Sequence, residues 1–223
     1  MSTGISLEMS DEARSQMPNI PADETDKAAY QKLIAAAVAL AAEQTDFSIE
    51  LDRLAETAGV PLPTVERFFP NPEAVASALA LHFSEIAGAD IALDQIADPE
   101  NNWQGIVHDI FRRGRVFYRK HPVALKLRLG AFQNAGVRHI LLQNGYAFAA
   151  LIQTEIEKHY VIPGNANLTE DFRNAITMTD ALWSLSVYQY GEITNNAVEA
   201  SERAVAGYLE QVLGQRLKAR PAN

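Results

Sequence analysis

Between residues 51 and 69 the chain reads LDRLAETAGVPLPTVERFF, and several of its side chains are of types that bind nucleic acids. Arginine forms paired hydrogen bonds with guanine or phosphate, threonine forms single ones, and an apolar side chain contacts a thymine methyl group. If residues 62–69 are helical, Val65, Phe68 and Phe69 anchor the helix and the remaining side chains point outward. The DNA-binding candidates are therefore Arg53, Leu62, Thr64 and Arg67.

The same region is acidic. Residues 45–75 contain six acids and two bases, a net charge of −4, and the whole chain carries −9. Lys and Arg contacts to phosphate release counterions, and this supplies most of the non-specific affinity for DNA. The sequence therefore predicts weak DNA binding with a shallow dependence on salt. A competing interpretation is that residues 46–69 are a retained folding unit whose Leu and aromatic positions are core.

The elements that must position these side chains are helices. Apolar residues recur with helical spacing along most of the chain, and no strand-like alternation competes. Gly59 suits a sharp turn between two short helices, and Asn71 with Pro72 suits a helix start. The pattern predicts an all-α fold of about nine helices: 26–44, two short helices within 50–68, 72–88, one ending at His121, one starting at Pro122, 136–160, 169–190, and one from Asn195 or Asn196 that fades at Lys218.

The two short helices and their Gly turn resemble the amino-terminal domain of the tetracycline-repressor (TetR) family. The usual pattern there is AxxAGVSxxTxYxxF, then a Lys-Glu pair that opens a fourth helix. In this chain Glu66 stands where the family usually has a phosphate-contacting Tyr, Pro72 replaces the Lys, and Pro61 and Leu62 replace a Ser and often a basic residue. The resemblance is sharpest over residues 30–83. The chain matches the pattern at Ala55, Ala58, Gly59, Val60, Thr64, Phe69 and Glu73.

In the TetR family the first three helices bind operator DNA, and the other helices bind a small molecule and form a dimer. The resemblance therefore implies a ligand-responsive transcriptional repressor, with a helix-turn-helix domain at 26–75 and a ligand-binding and dimerisation domain at 76–218. An alternative is that the chain kept this fold, lost DNA binding, and carries a ligand or lipid. A TetR-like lipid-binding protein of coenzyme Q biosynthesis is of that kind.

Candidates for effector binding lie in the later helices. Four are aromatic or flexible residues of the type that lines ligand pockets, although such residues are more often core. A fifth belongs to a run of bases without an acid, Arg112, Arg113, Arg115, Arg119, Lys120, Lys126 and Arg128. Three interpretations of this run compete. It is a solvated helix face balanced by acids elsewhere, or it binds an anionic ligand or lipid headgroup through Arg128 or Arg115. In the third interpretation it docks on an acidic protein surface or a membrane. The ligand-binding candidates are Phe117, Arg128, Phe132, Met178 and Trp183, with Tyr188 beside them.

Small residues recur along the last predicted helix. Ala200, Ala204, Gly207, Gln211 and Gly214 fall on one stripe, which permits close approach by another helix. The pattern predicts a homodimer through residues 169–218 and a palindromic operator, although the same residues could pack within one subunit.

Composition and motifs exclude several other functions. The absence of Cys excludes disulfides, zinc-thiolate sites and thiol nucleophiles, and fits a reducing cytoplasm. The five His lack metal-binding spacing, and the GxSxG, GxGxxG and GxxxxGK[ST] motifs are absent. The first 25 residues lack a signal-peptide core, and no apolar run has membrane-spanning length. We therefore expect a soluble, cytoplasmic protein without catalytic activity or cofactor, whose residues 1–25 form a disordered tail.

Overall fold

The computed structural model describes residues 7–44, 48–91, 102–130, 133–162, 164 and 168–220, and these ranges are mostly helical. The prediction of an all-α fold is confirmed. One short antiparallel pair joins β1 (Tyr160–Val161) to β2 (Lys218–Ala219). The helices of the described ranges are α1 (Asp11–Ser15), α2 (Glu24–Glu43), α3 (Leu51–Ala58), α4 (Leu62–Phe68), α5 (Pro72–Asp90), α6 (Asn102–Lys120), α7 (Pro122–Leu129), α8 (Ala135–His159), α9 (Leu168–Tyr190) and α10 (Asn195–Leu213).

Helix ends follow local rules. The Asp23 side chain accepts a hydrogen bond from Asp26 N at 2.8 Å, and this bond, the largest contribution, lowers the pKa of Asp23. Asn71 accepts in the same way from Ala74 N at 2.9 Å, as its position before Pro72 predicts. The last helix ends at Leu213 rather than at Lys218, because Gly214 adopts a φ of 75° that a helix cannot continue through.

The described part of the predicted disordered tail is ordered, which corrects that prediction for residues 7–25. It contains α1, a helix that the sequence did not predict, with Ala13 and Pro18 buried. The Asn71 side chain donates to Ser15 O at 2.8 Å, and Gln16 Oε1 accepts from Gly136 N at 2.9 Å. Contacts distant in sequence therefore order this polar segment, and its composition alone gives no sign of them.

The chain packs into two compact units. One consists of the described residues of Met1–Ile86 and His121–Gln143, and the other of those of Ala87–Lys120 and Asn144–Asn223. The predicted domains 26–75 and 76–218 divide the chain differently, since α7 and the start of α8 belong to the first unit. As an assignment of functions, those two domains stay a prediction.

In the first unit, α7 is fastened to the end of α2. Lys126 Nζ donates to Gln44 O at 2.8 Å and lies 3.4 Å from the carbonyl oxygens of both Ala41 and Ala42. An ammonium group at this position satisfies carbonyls that the helix leaves unpaired and interacts favourably with the helix dipole. Lys126 is thereby a structural residue of this unit.

In the second unit, α9 and α10 form an antiparallel hairpin. Near the turn, Thr194 N donates to Ser186 Oγ at 3.0 Å. Near the open end, the Tyr208 hydroxyl donates to Asp171 at 2.7 Å. Between them, Trp183 Nε1 donates to Ser201 Oγ at 3.0 Å. No helix among the described residues is long and apolar enough to cross a membrane.

Candidate nucleic-acid interface

The turn between α3 and α4 is built by Gly59, whose φ of 62° and ψ of 35° lie in the left-handed region. After it, Val60 N donates to Ala55 O at 3.1 Å, which closes the end of α3. Thr64 N then bonds Pro61 O at 2.9 Å to begin α4. The two short helices therefore adopt the helix-turn-helix connection that the sequence pattern predicts.

An aromatic contact holds α4 against α2. Val65, Phe68 and Phe69 are almost completely buried. The Tyr30 ring of α2 meets Phe68 edge-on at 5.5 Å and Phe69 at 5.6 Å between ring centroids. Burial, and secondarily the charge of Glu85, raises the pKa of the Tyr30 hydroxyl well above its ordinary value. These side chains fix which face of α4 points away from the core.

The outward face of α4 carries the predicted DNA-binding residues. Leu62 is 38 % exposed, Glu66 is exposed and Thr64 is half-buried. The side chain of Arg67 is 56 % exposed. The structure thus brings Leu62, Thr64 and Arg67 together on one short helix, and their roles in binding stay a prediction.

The guanidinium of Arg67 is engaged within the protein. Its Nη2 donates a short hydrogen bond to Oδ1 of Asp26, at the start of α2. Its Cζ lies 4.9 Å from the centroid of the Phe68 ring, a cation–π distance. The backbone oxygen of Arg67 accepts from Asn19 Nδ2 at 2.8 Å. The most prominent base of the candidate interface is therefore already paired.

Arg53, the other predicted base, lies on α3. It is half-exposed, and its Nη2 is 3.9 Å from Oε2 of Glu43, a long and weak ion pair. The described acids of this region, Glu50, Asp52, Glu56, Glu66 and Glu73, are all exposed. The outer surface of α3 and α4 is thus acidic, as the charge count predicts; Asp46, also in that count, lies outside the described residues.

The residues that the sequence analysis missed are Asp26 and Asn19. Acids are common in the first turn of a helix, so Asp26 resembled an ordinary start of α2. Asn19 lay in the predicted tail. Their partner is 41 residues from Asp26 and 48 from Asn19, and no local pattern connects positions so far apart.

Several members of the basic run have structural partners. Arg112 Nη2 and Arg113 Nε bond the two carboxylate oxygens of Asp109 at 2.6 and 2.7 Å. Burial alone would raise the pKa of Asp109, but the hydrogen bonds from the two arginines outweigh it and lower that pKa. Lys120 bonds Asp90 at 3.0 Å. For these three bases a balanced helix face describes the structure, as one of the three interpretations predicts.

Three of the predicted effector-binding residues lie in the second unit. Trp183 and Phe117 are buried and Met178 is half-buried. Trp183 packs against Phe111 and Tyr118 with ring centroids 6.1 and 6.2 Å apart, and Tyr118 contacts Phe117 at 5.3 Å. We call Phe111, Phe117, Tyr118 and Trp183 the aromatic cluster.

The other effector candidates lie elsewhere. Arg128 is half-buried on α7 in the first unit, and Phe132 is outside the described residues. Tyr188 is 83 % exposed on α9 and so is a surface residue rather than a core one. Arg115 is half-buried, and its Nε has no hydrogen-bond partner among the described residues. Ligand binding by these residues stays a prediction.

The α9–α10 hairpin exposes an apolar surface. Leu185 is 53 % exposed beside Tyr188. Of the predicted small-residue stripe on α10, Gly207 and Gln211 are exposed and Ala200 and Ala204 are half-exposed. A β-carbon added to Gly207 would meet no atom within 4 Å. Much of the stripe is therefore not used for packing inside the protomer.

Among the described residues, no group of three or more His, Asp or Glu side chains is placed to hold a metal ion. No protein-family model and no curated protein matches the sequence. The fold is similar to a crystal structure of a TetR-family transcriptional regulator from Streptomyces coelicolor, with a TM-score of 0.65 and 18 % identity. The match covers 83 % of this chain and 99 % of that one. The chain thus has the TetR fold.

Proposed function

We propose that this chain is a DNA-binding transcriptional regulator, acting as a repressor, that responds to a small hydrophobic or anionic ligand. The observation that carries the proposal is the arrangement of α3, Gly59 and α4, in which Phe68 anchors α4 while Leu62 and Arg67 are exposed. A short helix presented in this way fits the major groove, where side chains reach base edges. The TetR fold supports the same function.

The regulator acts as a homodimer through residues 169–218. Leu185 and Tyr188 on α9 offer exposed apolar side chains to a second copy. The exposed Gly207 on α10 lets a helix of that copy pack closely. A two-fold dimer places two copies of α4 on the two halves of a palindromic operator.

The effector binds in the second unit, next to the aromatic cluster. Aromatic walls with a few polar groups are typical of ligand pockets, and Arg115 supplies a buried nitrogen that an anionic ligand would satisfy. Occupancy by the effector changes the affinity for DNA, which requires a ligand that binds the two states differently. In this proposal the protein works in the cytoplasm and has no catalytic activity.

DNA binding is tested by fluorescence anisotropy against labelled duplexes from the region upstream of its own gene, at low and moderate salt. Arg67→Ala should weaken binding about five- to 150-fold, since a guanidinium contact to DNA contributes roughly 1–3 kcal/mol. Arg216→Ala removes the same charge from an exposed position in the second unit and is the matched control. Equal weakening by both substitutions would show that α4 does not bind DNA.

A second function, carriage of a hydrophobic ligand or lipid without DNA binding, is favoured by one observation. Arg67 and Arg53 each lie beside an acid, and the rest of the surface formed by α3 and α4 is acidic. Native mass spectrometry of the purified protein distinguishes the two functions. A hydrophobic molecule bound at one per protomer, with no DNA binding at any salt concentration, would favour the carrier.

A further inference from the structure

Arg67 is the only base in α4, and an acid of α2 already accepts a hydrogen bond from it. Hydrogen bonds between two charged groups are stronger than those between neutral ones. The side chain of Asp26 is only 22 % exposed, so water and salt screen its charge less than the charge of a fully exposed carboxylate. A DNA phosphate that approaches α4 therefore meets a guanidinium whose carboxylate partner must first be displaced.

Hydrogen bonds other than the Asp26–Arg67 pair hold the backbone on both sides of that pair. Asn19 N donates to Phe68 O at 2.8 Å and Asn19 Nδ2 to Arg67 O at 2.8 Å, which ties the segment before α2 to the end of α4. Asp23 then caps α2 through Asp26 N. Because the chain holds both partners close together, the pair loses less conformational entropy than one between two flexible surface side chains.

Phe68 restrains the same guanidinium through its ring, 4.9 Å from Arg67 Cζ. The ring is itself buried against Tyr30, so it does not move with the arginine. Arg67 is thus held by a carboxylate and by an aromatic ring, and both contacts favour one orientation of its side chain.

From these contacts we infer that Asp26 is a positioning residue that withholds Arg67 from DNA. The inference rests on the proposed DNA-binding function and adds its regulation: a phosphate or base edge must replace Asp26 at the guanidinium. Asp26 lowers the affinity for DNA in two ways, because it occupies donors of Arg67 and because its negative charge repels an approaching phosphate.

The experiment compares Asp26→Asn with the native chain by DNA anisotropy at several salt concentrations. At about 50 mM salt, Asp26→Asn should bind roughly five- to tenfold more tightly. The slope of log affinity against log salt should steepen by up to about 0.9, the value for one complete phosphate contact, because Asp26 leaves the contact of Arg67 only partly formed in the native chain. A residue with a merely structural role would leave that slope unchanged. Asp26→Ser, which also removes the charge, should behave in the same way if the first variant folds poorly.

The matched control is Asp23→Asn. It removes the same charge from the same end of α2, and Asn is as good a capping residue as Asp. Asp23 does not bond Arg67, so this variant should tighten binding less than about twofold and leave the salt slope unchanged. Combining Asp26→Asn with Arg67→Ala tests whether the gain passes through Arg67. Without Arg67 only the loss of charge repulsion remains, so the gain should fall to that of the Asp23→Asn control, less than about twofold.

Four outcomes separate this inference from the proposed function. If the native chain binds DNA and only Asp26→Asn gains affinity, both stand. If the native chain binds and the two Asn variants are equal, the inference is wrong and the proposed function remains. Binding by Asp26→Asn but not by the native chain would support the inference and contradict DNA binding by the native protein. No binding by either chain at low salt would overturn both.

Discussion

The side chain of Asn102 forms both hydrogen bonds of the Leu217 backbone. Nδ2 donates to Leu217 O at 3.0 Å, and Oδ1 accepts from Leu217 N at 2.8 Å, with both residues buried. Asn102 has a φ of 61°, which Asn tolerates better than most residues. This pair fastens the segment after α10 to the start of α6.

We expect Asn102→Ala to lower the free energy of unfolding by about 2–4 kcal/mol, because two buried backbone groups lose their partners. Urea denaturation measures this. Asn102→Gly removes the same hydrogen bonds but suits the positive φ, so it should cost less than Ala and still more than about 1 kcal/mol. A Gly variant as stable as the native chain would show that the hydrogen bonds contribute nothing. Asn196→Ala, at an exposed position, is the control.

Two glycines of α8 should respond to Ala in opposite directions. A β-carbon on Gly136 would collide with Ser77 Oγ and lie 3.1 Å from atoms of Gln16, whereas one on Gly145 meets nothing within 4 Å. Gly136→Ala should therefore destabilise the protein by about 1–3 kcal/mol. Gly145→Ala should stabilise it by about 0.5–1 kcal/mol, since Ala loses less backbone entropy in a helix. In thermal or urea unfolding, stabilisation by Gly136→Ala would contradict the close packing of Gly136, and destabilisation by Gly145→Ala would contradict the open space beside Gly145.

The parts of the fold that local rules decide were predictable. Gly59 ends α3 and Asn71 begins α5 because each acts on residues three or four positions away. The apolar stripes likewise predicted the longer helices. Gly214 is a local signal that the prediction overlooked, since its positive φ ends α10 at Leu213.

The features that govern the candidate site were not predictable in this way. The partner of Arg67 became apparent only when α2 and α4 were packed together, and the ordered segment around Asn19 depends on the same packing. The sequence shows how many acids and bases lie near α4. It could not show that Asp26, an ordinary residue of a helix start, is the acid that reaches Arg67.

Asp109 should contribute stability that depends on pH. Because its pKa is lowered in the folded protein, its contribution is present above the ordinary value of 3.8 and is lost as pH falls through the lowered value. Asp109→Asn should therefore be less stable than the native chain near about pH 7, by at most about 1 kcal/mol for these partly exposed arginines, and the difference should shrink towards about pH 3. Denaturation at several pH values measures it. The control is Glu192→Gln, at an exposed acid of the same unit, which should change the stability less. A loss of stability by Asp109→Asn that grows as the pH falls would contradict a stabilising role for the Asp109 carboxylate.

Substitutions at two exposed apolar residues distinguish the proposed dimer interface from an ordinary apolar surface. Leu185 on α9 and Val116 on α6 are almost equally exposed, at 53 % and 56 %, and both can be changed to Glu without disturbing the core of a protomer. A carboxylate buried between two copies loses its hydration, so Leu185→Glu should raise the dimer dissociation constant at least about a hundredfold, or roughly 2.7 kcal/mol. Val116→Glu should leave it unchanged, because α6 lies outside the proposed interface. Light scattering across micromolar concentrations measures both masses. A native chain that is monomeric would contradict the proposed interface. Equal dimer dissociation constants for the two variants would show that the α9 surface is not a specific interface.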